Sequence, residues 1–226
     1  MKLWAGSATV GFAGTAGNAK TQTFTVATNA ARVTATDKTT LYFNTIKASS
    51  LNGVLNQPTA QAVRGGLGYN HNISPRIFVN TTADFEYDLF QNLDLRYLAG
   101  GGLGYSVWRT DRKSLSVVAG LAYDHASFSP PKLASFTRSS ADAYYGNDFA
   151  IKVTPNNSLV QSFRLFNNLS DSNDFRANFD VTNSTKIAKW LTWNLGMSFR
   201  YLNDPAPGRK TNDVLYTTGL GISFSR

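Results

Sequence analysis

The sequence predicts an all-β chain: a single closed antiparallel up-and-down transmembrane β-barrel of about 12 strands, forming one domain over residues 1–226. Three observations predict it. Apolar residues do not recur at the helical period; they alternate with polar ones, as on a strand with two unlike faces. The alternating runs are roughly twice the ordinary strand of about 5–6 residues, and a tilted strand needs about 9–11 to cross a bilayer. Breaks rich in Gly, Pro, Asn and Asp divide the chain into twelve runs. An even number lets the sheet close with both termini at one end.

The first three runs, bounded by Gly17-Asn18, Thr36-Asp37-Lys38 and Asn52-Gly53, alternate least cleanly. The fourth carries GLGY at 66–69 and ends at Ser74-Pro75. In the fifth, Ile77, Val79, Thr81, Ala83, Phe85 and Tyr87 oppose Phe78, Asn80, Thr82, Asp84 and Glu86. The sixth follows Phe90-Gln91-Asn92. It sets Leu93, Leu95, Tyr97, Ala99, Gly101, Leu103, Tyr105 and Val107 against Asp94, Arg96, Leu98, Gly100, Gly102, Gly104, Ser106 and Trp108. Glycines above the charges leave room for a large neighbour from the next strand. After Thr110-Asp111-Arg112, the seventh aligns Leu115, Val117, Ala119, Leu121 and Tyr123. Pro130-Pro131, Pro155-Asn156-Asn157, 170–173 and 184–189 set off the eighth to tenth. The eleventh opposes Leu191, Trp193, Leu195, Met197, Phe199 and Tyr201 to Thr192, Asn194, Gly196, Ser198 and Arg200. Beyond the break at 204–208, the twelfth opposes Val214, Tyr216, Thr218, Leu220, Ile222 and Phe224 to Thr217, Gly219, Gly221 and Ser223. The GLGY pattern returns at 102–105 and, loosely, at 120–123, 196–199 and 219–222, with its large residues always on the apolar face.

Composition narrows the classes further. Only 16% of residues are charged, and there is no cysteine, which excludes disulfides, thiol catalysis and Cys-ligated zinc. No apolar stretch is long enough for a spanning helix. The formal charge is +8, with many bases at expected turns, which places positive charge at the barrel rims. Anionic outer-membrane lipids and the bilayer are the expected partners. No nucleic-acid signature accompanies the scattered bases. No cofactor is expected, and a monomer is. Met1-Lys2-Leu3-Trp4 has no signal-peptide core, so the expectation is a mature form with an added start Met.

With the apolar face against lipid, Val79, Phe85, Leu103, Tyr105, Leu121, Trp193, Leu195, Met197, Phe199, Leu220 and Ile222 point outward. Asp84, Glu86, Asp94, Arg96, Asp124, Asp148, Lys152, Arg164, Arg176, Asp180 and Arg200 then line the lumen. Such charges must pair or stay wet. The expected pairs are Arg96 with Asp84 or Glu86, and Arg176 or Arg164 with Asp180 or Asp148. The lumen is then either a selective aqueous path or an ion-paired plug. Barrels of about eight strands are filled by side chains and those of about sixteen hold a channel, and twelve lies between. A two-sheet sandwich or a soluble lipocalin-like barrel reverses the faces.

The segments WAGSATVGFAGTAGNAKTQTF (4–24), NLDLRYLAGGGLGYSVW (92–108), NDFAIKVTPNNSLVQSF (147–163) and WLTWNLGMSFRYLNDPAPGRKTNDVLYTTGLGISF (190–224) resemble, in this order, the salt-induced outer-membrane protein family of bacteria. That resemblance implies a barrel in the bacterial outer membrane, of unknown function and with no catalytic residues to carry over. It departs at the end, Phe224-Ser225-Arg226, where such barrels usually close on an aromatic residue.

A membrane hydrolase is the remaining class. Its only histidines, His71 and His125, lie in His71-Asn72-Ile73-Ser74 and His125-Ala126-Ser127, neither of which is a nucleophile motif. Asp204 and Asp213 could meet a cation in the last long loop, but no ligand geometry is specified.

Overall fold

A computed structural model describes residues 4–15, 20–52, 55–130 and 133–225. They form a closed barrel of twelve antiparallel strands in sequence order, the first sealed against the last. The strands are β1 (Ala5–Thr15), β2 (Lys20–Val33), β3 (Asp37–Asn52), β4 (Leu55–Asn72), β5 (Ile77–Asp88), β6 (Leu93–Arg109), β7 (Lys113–Phe128), β8 (Phe136–Thr154), β9 (Asn157–Asn168), β10 (Phe175–Lys186), β11 (Leu191–Leu202) and β12 (Asn212–Ser225). The expected residues Met1–Leu3, Gly17-Asn18, Gly53 and Pro131 lie outside the described residues. The other expected breaks fall in or beside the connections between strands.

Closure removes the unpaired edges that an open sheet of long strands would expose. β1 seals to β12 from Ala5↔Ser225 to Val10↔Leu220. The two ends differ. Connections 34–36, 73–76, 110–112, 155–156 and 187–190 are tight turns at the end that holds both termini. The other end carries 129–135, 169–174, 203–211 and a 3-10 turn at Leu89–Gln91.

The faces separate by parity, as the pleat requires. Outward positions such as Leu103, Leu121, Leu220 and Ile222 are exposed. Inside, Phe78, Leu98, Val118, Ala122, Tyr144 and Phe166 pack together on the β5–β9 wall. The β6 glycines make this packing fit. A side chain at Gly104 would run into the Phe78 ring, and one at Gly102 would meet the Tyr144 hydroxyl. Across the lumen, the same parity on β1, β2, β4, β11 and β12 holds many small residues, among them Thr9, Ala27, Gly66, Gly196 and Gly219, with Arg64 and Arg200 between them.

Two bulges correct the strict alternation expected for β6. Pairing shifts between Leu93 and Leu95 and again between Ser106 and Trp108. The first bulge leaves Asp94 out of step with Arg96, against the expectation that both face inward. The second turns Trp108 to the outer parity of its partner Leu115 and puts Arg109 on the inner one, opposite Ser114. One extra residue in a ladder reverses the faces beyond it.

Candidate functional site

A connected chain of charges runs along the inner face from β4 to β10. Arg64 on β4 holds Asp88 at 2.7 Å and Glu86 at 2.6 Å, both on β5. Glu86 also meets Arg96 of β6 at 3.1 Å, and Arg96 lies 3.6 Å from Asp124 of β7. Asp124 pairs with Arg176 of β10, whose other nitrogen lies 3.5 Å from Asp142 of β8. Strands β7 and β10 are not neighbours in the sheet, so Arg176 reaches over the inner side of β9 and β8 to Asp124. Its guanidinium rests 4.4 Å from the Phe166 ring centroid. Asp124 and Asp142 are only 5% and 4% exposed, so their charge depends on these partners. Arg96 Nε and Asp142 Oδ1 make no hydrogen bond among the described residues. Both line a cavity of about 30 Å³, room for one ordered water.

Further pairs line the same interior. Arg164 (β9) holds Asp148 (β8) at 2.7 Å, and Arg200 (β11) reaches both oxygens of Asp180 (β10) at 2.8 and 2.9 Å. Asp84 accepts from Tyr42 at 2.7 Å and from Thr82 at 3.1 Å. Tyr144 (β8) donates to Asn80 (β5) at 2.9 Å, a second bridge between strands that do not pair.

Of the expected lumen residues, Glu86, Arg96, Asp124 and Arg176 thus join one chain. Arg164 with Asp148, and Arg200 with Asp180, form separate pairs. Arg176 takes Asp124 and Asp142 rather than Asp148 or Asp180, and Arg96 takes Glu86 rather than Asp84. Asp94 stands apart: its carboxylate accepts from Ser129 in the 129–135 connection. Lys152 lines an open hollow at the tight-turn mouth. Arg64, Asp88, Asp142 and Tyr42 are members that the sequence reading missed. Arg64 shares the parity of Gly66 and Gly68, the small positions of the first GLGY, and that was its legible signal. Of the expected outward residues, Val79, Phe85, Leu103, Tyr105, Leu121, Trp193, Leu195, Leu220 and Ile222 are exposed, and Met197 and Phe199 are partly so, on the same parity.

The 203–211 connection folds over the other mouth. Ala206 is buried with Leu93, Ala126 and Phe128, against which Phe136 packs. Arg138 holds Asp204 at 3.0 Å, and Arg209 donates to Leu89 O at 3.3 Å and to Asn92 Oδ1. Gln91 donates to Asp213 at 2.9 Å. Asn92 (φ 54°) and Gly208 (φ 81°) supply the left-handed turns this path needs. Asp204 and Asp213, the pair the sequence offered to a cation, hold Arg138 and Gln91 respectively.

The histidines lie on the outer face. His125 Nδ1 is 2.7 Å from Ser139 Oγ, not Ser127, and its ring stacks on Tyr97 with centroids 5.0 Å apart. His71 Nδ1 is 2.8 Å from Asp37 at the β2–β3 turn. Asp37 also accepts from Thr36 and Tyr69, each at 2.6 Å. These hydrogen bonds, Thr36's foremost, hold its carboxyl well below the usual range.

A family model described as "Protein of unknown function, DUF481" matches residues 8–224. No curated protein matches the sequence. Among solved structures, an outer-membrane channel of Pseudomonas putida F1 is similar at TM-score 0.52 and 9% identity, over 100% of this chain and 96% of that one. The NanC porin is similar at 0.51 and 9%, over 97% and 98%. The translocator domain of the autotransporter NalP from Neisseria meningitidis is similar at 0.50 and 12%, over 98% and 86%. At these identities the likeness is one of fold.

Proposed function

We propose, from the premise that the chain belongs to the DUF481 family of proteins of unknown function, that it is an outer-membrane barrel forming a narrow, mostly closed passage for ions or small solutes. The division of the lumen carries this reading. One wall is packed with Phe78, Tyr144 and Phe166 and strapped by the Arg176 chain, while the facing wall presents mostly Thr, Ala, Gly and Asn, with Tyr42, Ile46, Arg64 and Arg200 as its larger members. A plug would need bulk on both sides; small polar residues on one side leave a path that water can wet. The lid at 203–211 narrows that path at its outer mouth. The apolar outer face supports insertion in a bilayer, the tight turns and termini then facing the periplasm.

Planar-bilayer recording with Arg96→Ala tests the passage. Conductance or ion selectivity should change while the barrel still folds. A variant that is destabilised and never conducts, like a silent wild type, would favour a non-conducting envelope barrel. The resemblance to salt-induced proteins would suit that alternative, and transcript levels after a salt upshift would probe it. The reading includes no hydrolysis. The described contacts of His125 are Ser139 and the Tyr97 ring, with no carboxylate among them to orient the imidazole. A fluorophosphonate should therefore leave Ser139 unlabelled.

A further inference from the structure

We propose that the tight-turn mouth is an anion-binding vestibule that takes small carboxylates, phosphates and similar anionic solutes; this rests on reading the lumen as a wet path. Four bases occupy the lumen-facing parity at that rim, each opposite a hydroxyl or amide residue: Lys38↔Asn70, Arg109↔Ser114, Lys152↔Ser158 and Lys186↔Thr192. All four are exposed. They come from β3, β6, β8 and β10, so they are spread around the mouth rather than clustered on one strand. Arg112 joins Lys152 around a hollow of about 220 Å³ at the rim, which Asp111 and, on the outer parity, Lys113, Ile151 and Leu159 also line.

Acids do not balance them. Among the described residues, the first acids met on the inner parity below this rim are Asp148, Asp180 and Asp84. The first two are paired with Arg164 and Arg200, and Asp84 is held by Tyr42. Asp37 lies on the outer parity opposite His71, and Asp111 sits in the 110–112 turn. Between the rim and these acids the inner wall carries Ser116, Thr182 and Asn194, whose hydroxyl and amide groups can donate to an anion, beside Gly221 and the apolar Val33, Phe78, Val118, Ala150 and Val160. A recess lined by one sign of charge concentrates counter-ions, and low-dielectric walls sharpen the effect.

The direct test needs no conductance. Pyranine, a pyrene trisulfonate dye, is titrated into the detergent-folded barrel at low salt and followed by anisotropy. The wild type should bind. K38Q/R109Q/K152Q/K186Q should bind at least about tenfold more weakly, whereas R32Q/K47Q/R76Q/K189Q, with the same loss of charge at outward and turn positions, should stay within about twofold. Raising the salt should release the dye. Equal weakening in both variants, or no binding by the wild type, overturns the vestibule. Reversal potentials in a KCl gradient then separate the two readings. Anion preference lost in the first variant supports both. Dye binding in a barrel that never conducts overturns the passage and keeps the vestibule. A conducting barrel with no anion preference and no dye binding does the reverse.

Discussion

Arg176 is where a single substitution should cost most. Its removal takes the ion pair from Asp142 and leaves Asp124 only the longer contact to Arg96, with both carboxylates out of water. Arg176→Ala is expected to lose about 3–5 kcal/mol in urea unfolding from detergent, because an uncompensated buried charge costs more than a lost contact. R176M with D124N and D142N should recover much of it. A recovery no better than the single variant would mean that packing on Phe166, not charge, is what matters. Asp37 gives a pH signature. Its folded-state carboxyl lies below the unfolded value of about 3.9, so its contribution is present above that value and is lost as pH falls below it toward the folded one. Tyr69→Phe removes one of its donors. Melts from neutral to acid pH should show a shallower acid decline in that variant than in the wild type, and an unchanged slope would exclude Tyr69 as a source of the shift.

At the scale of elements, the 203–211 connection and strand β11 make opposite predictions. The lid is held by one buried alanine and a few polar ties, among them Arg138–Asp204 and Arg209 to the 89–92 turn. Charge at Ala206 cannot stay between Leu93 and Phe128, so Ala206→Glu should release the lid. We expect a several-fold rise in single-channel conductance, with the strands still resistant to trypsin while the loop becomes cleavable. On β11, Leu195 is exposed on the outer face and Gly196 faces Thr217 inside. Leu195→Arg should lower stability in lipid, by less than the about 2–4 kcal/mol of a midplane site, because Leu195 lies only two residues from Trp193 near the boundary. Gly196→Ala acts through crowding of the Thr217 hydroxyl instead. Lipid-borne quenchers that reach a label at 196 and miss one at 195 would contradict this register.

For the whole molecule, the two surfaces of the sheet have exchanged their usual roles. The outer surface presents Phe12, Leu41, Phe43, Leu67, Phe85, Leu103, Leu121, Leu195 and Leu220 to the surroundings, far more apolar area than a soluble monomer tolerates. The barrel should therefore refold only with detergent or lipid and show heat-modifiable migration. A monodisperse detergent-free monomer would reverse the assignment of faces. All four tryptophans, Trp4, Trp108, Trp190 and Trp193, gather at the tight-turn end. Trp prefers the membrane boundary, so their fluorescence should be quenched by shallow rather than deep brominated lipids.

By itself the sequence determined the strand number, the turns and most of the two faces, because alternation and turn chemistry are local and a strand's parity follows from its neighbours in the chain. The parity shared by Arg64 and the first GLGY, and by Asp142 and Asp148, was legible in the same way, although the early strands alternated too loosely to bring it out. Three things were decided only by tertiary structure. The bulges that displaced Asp94 and turned Trp108 outward are faults in a ladder, set by how two strands pair. The partnership of Arg176 with Asp124 depends on barrel diameter, since it joins strands that do not touch through the sheet. The lid depends on burying Ala206 against Leu93, Ala126 and Phe128, residues of β6 and β7 far earlier in the chain. Periodicity records which side of a strand a residue takes. Which distant residue it meets there is set by closure of the barrel, and no local pattern carries that information.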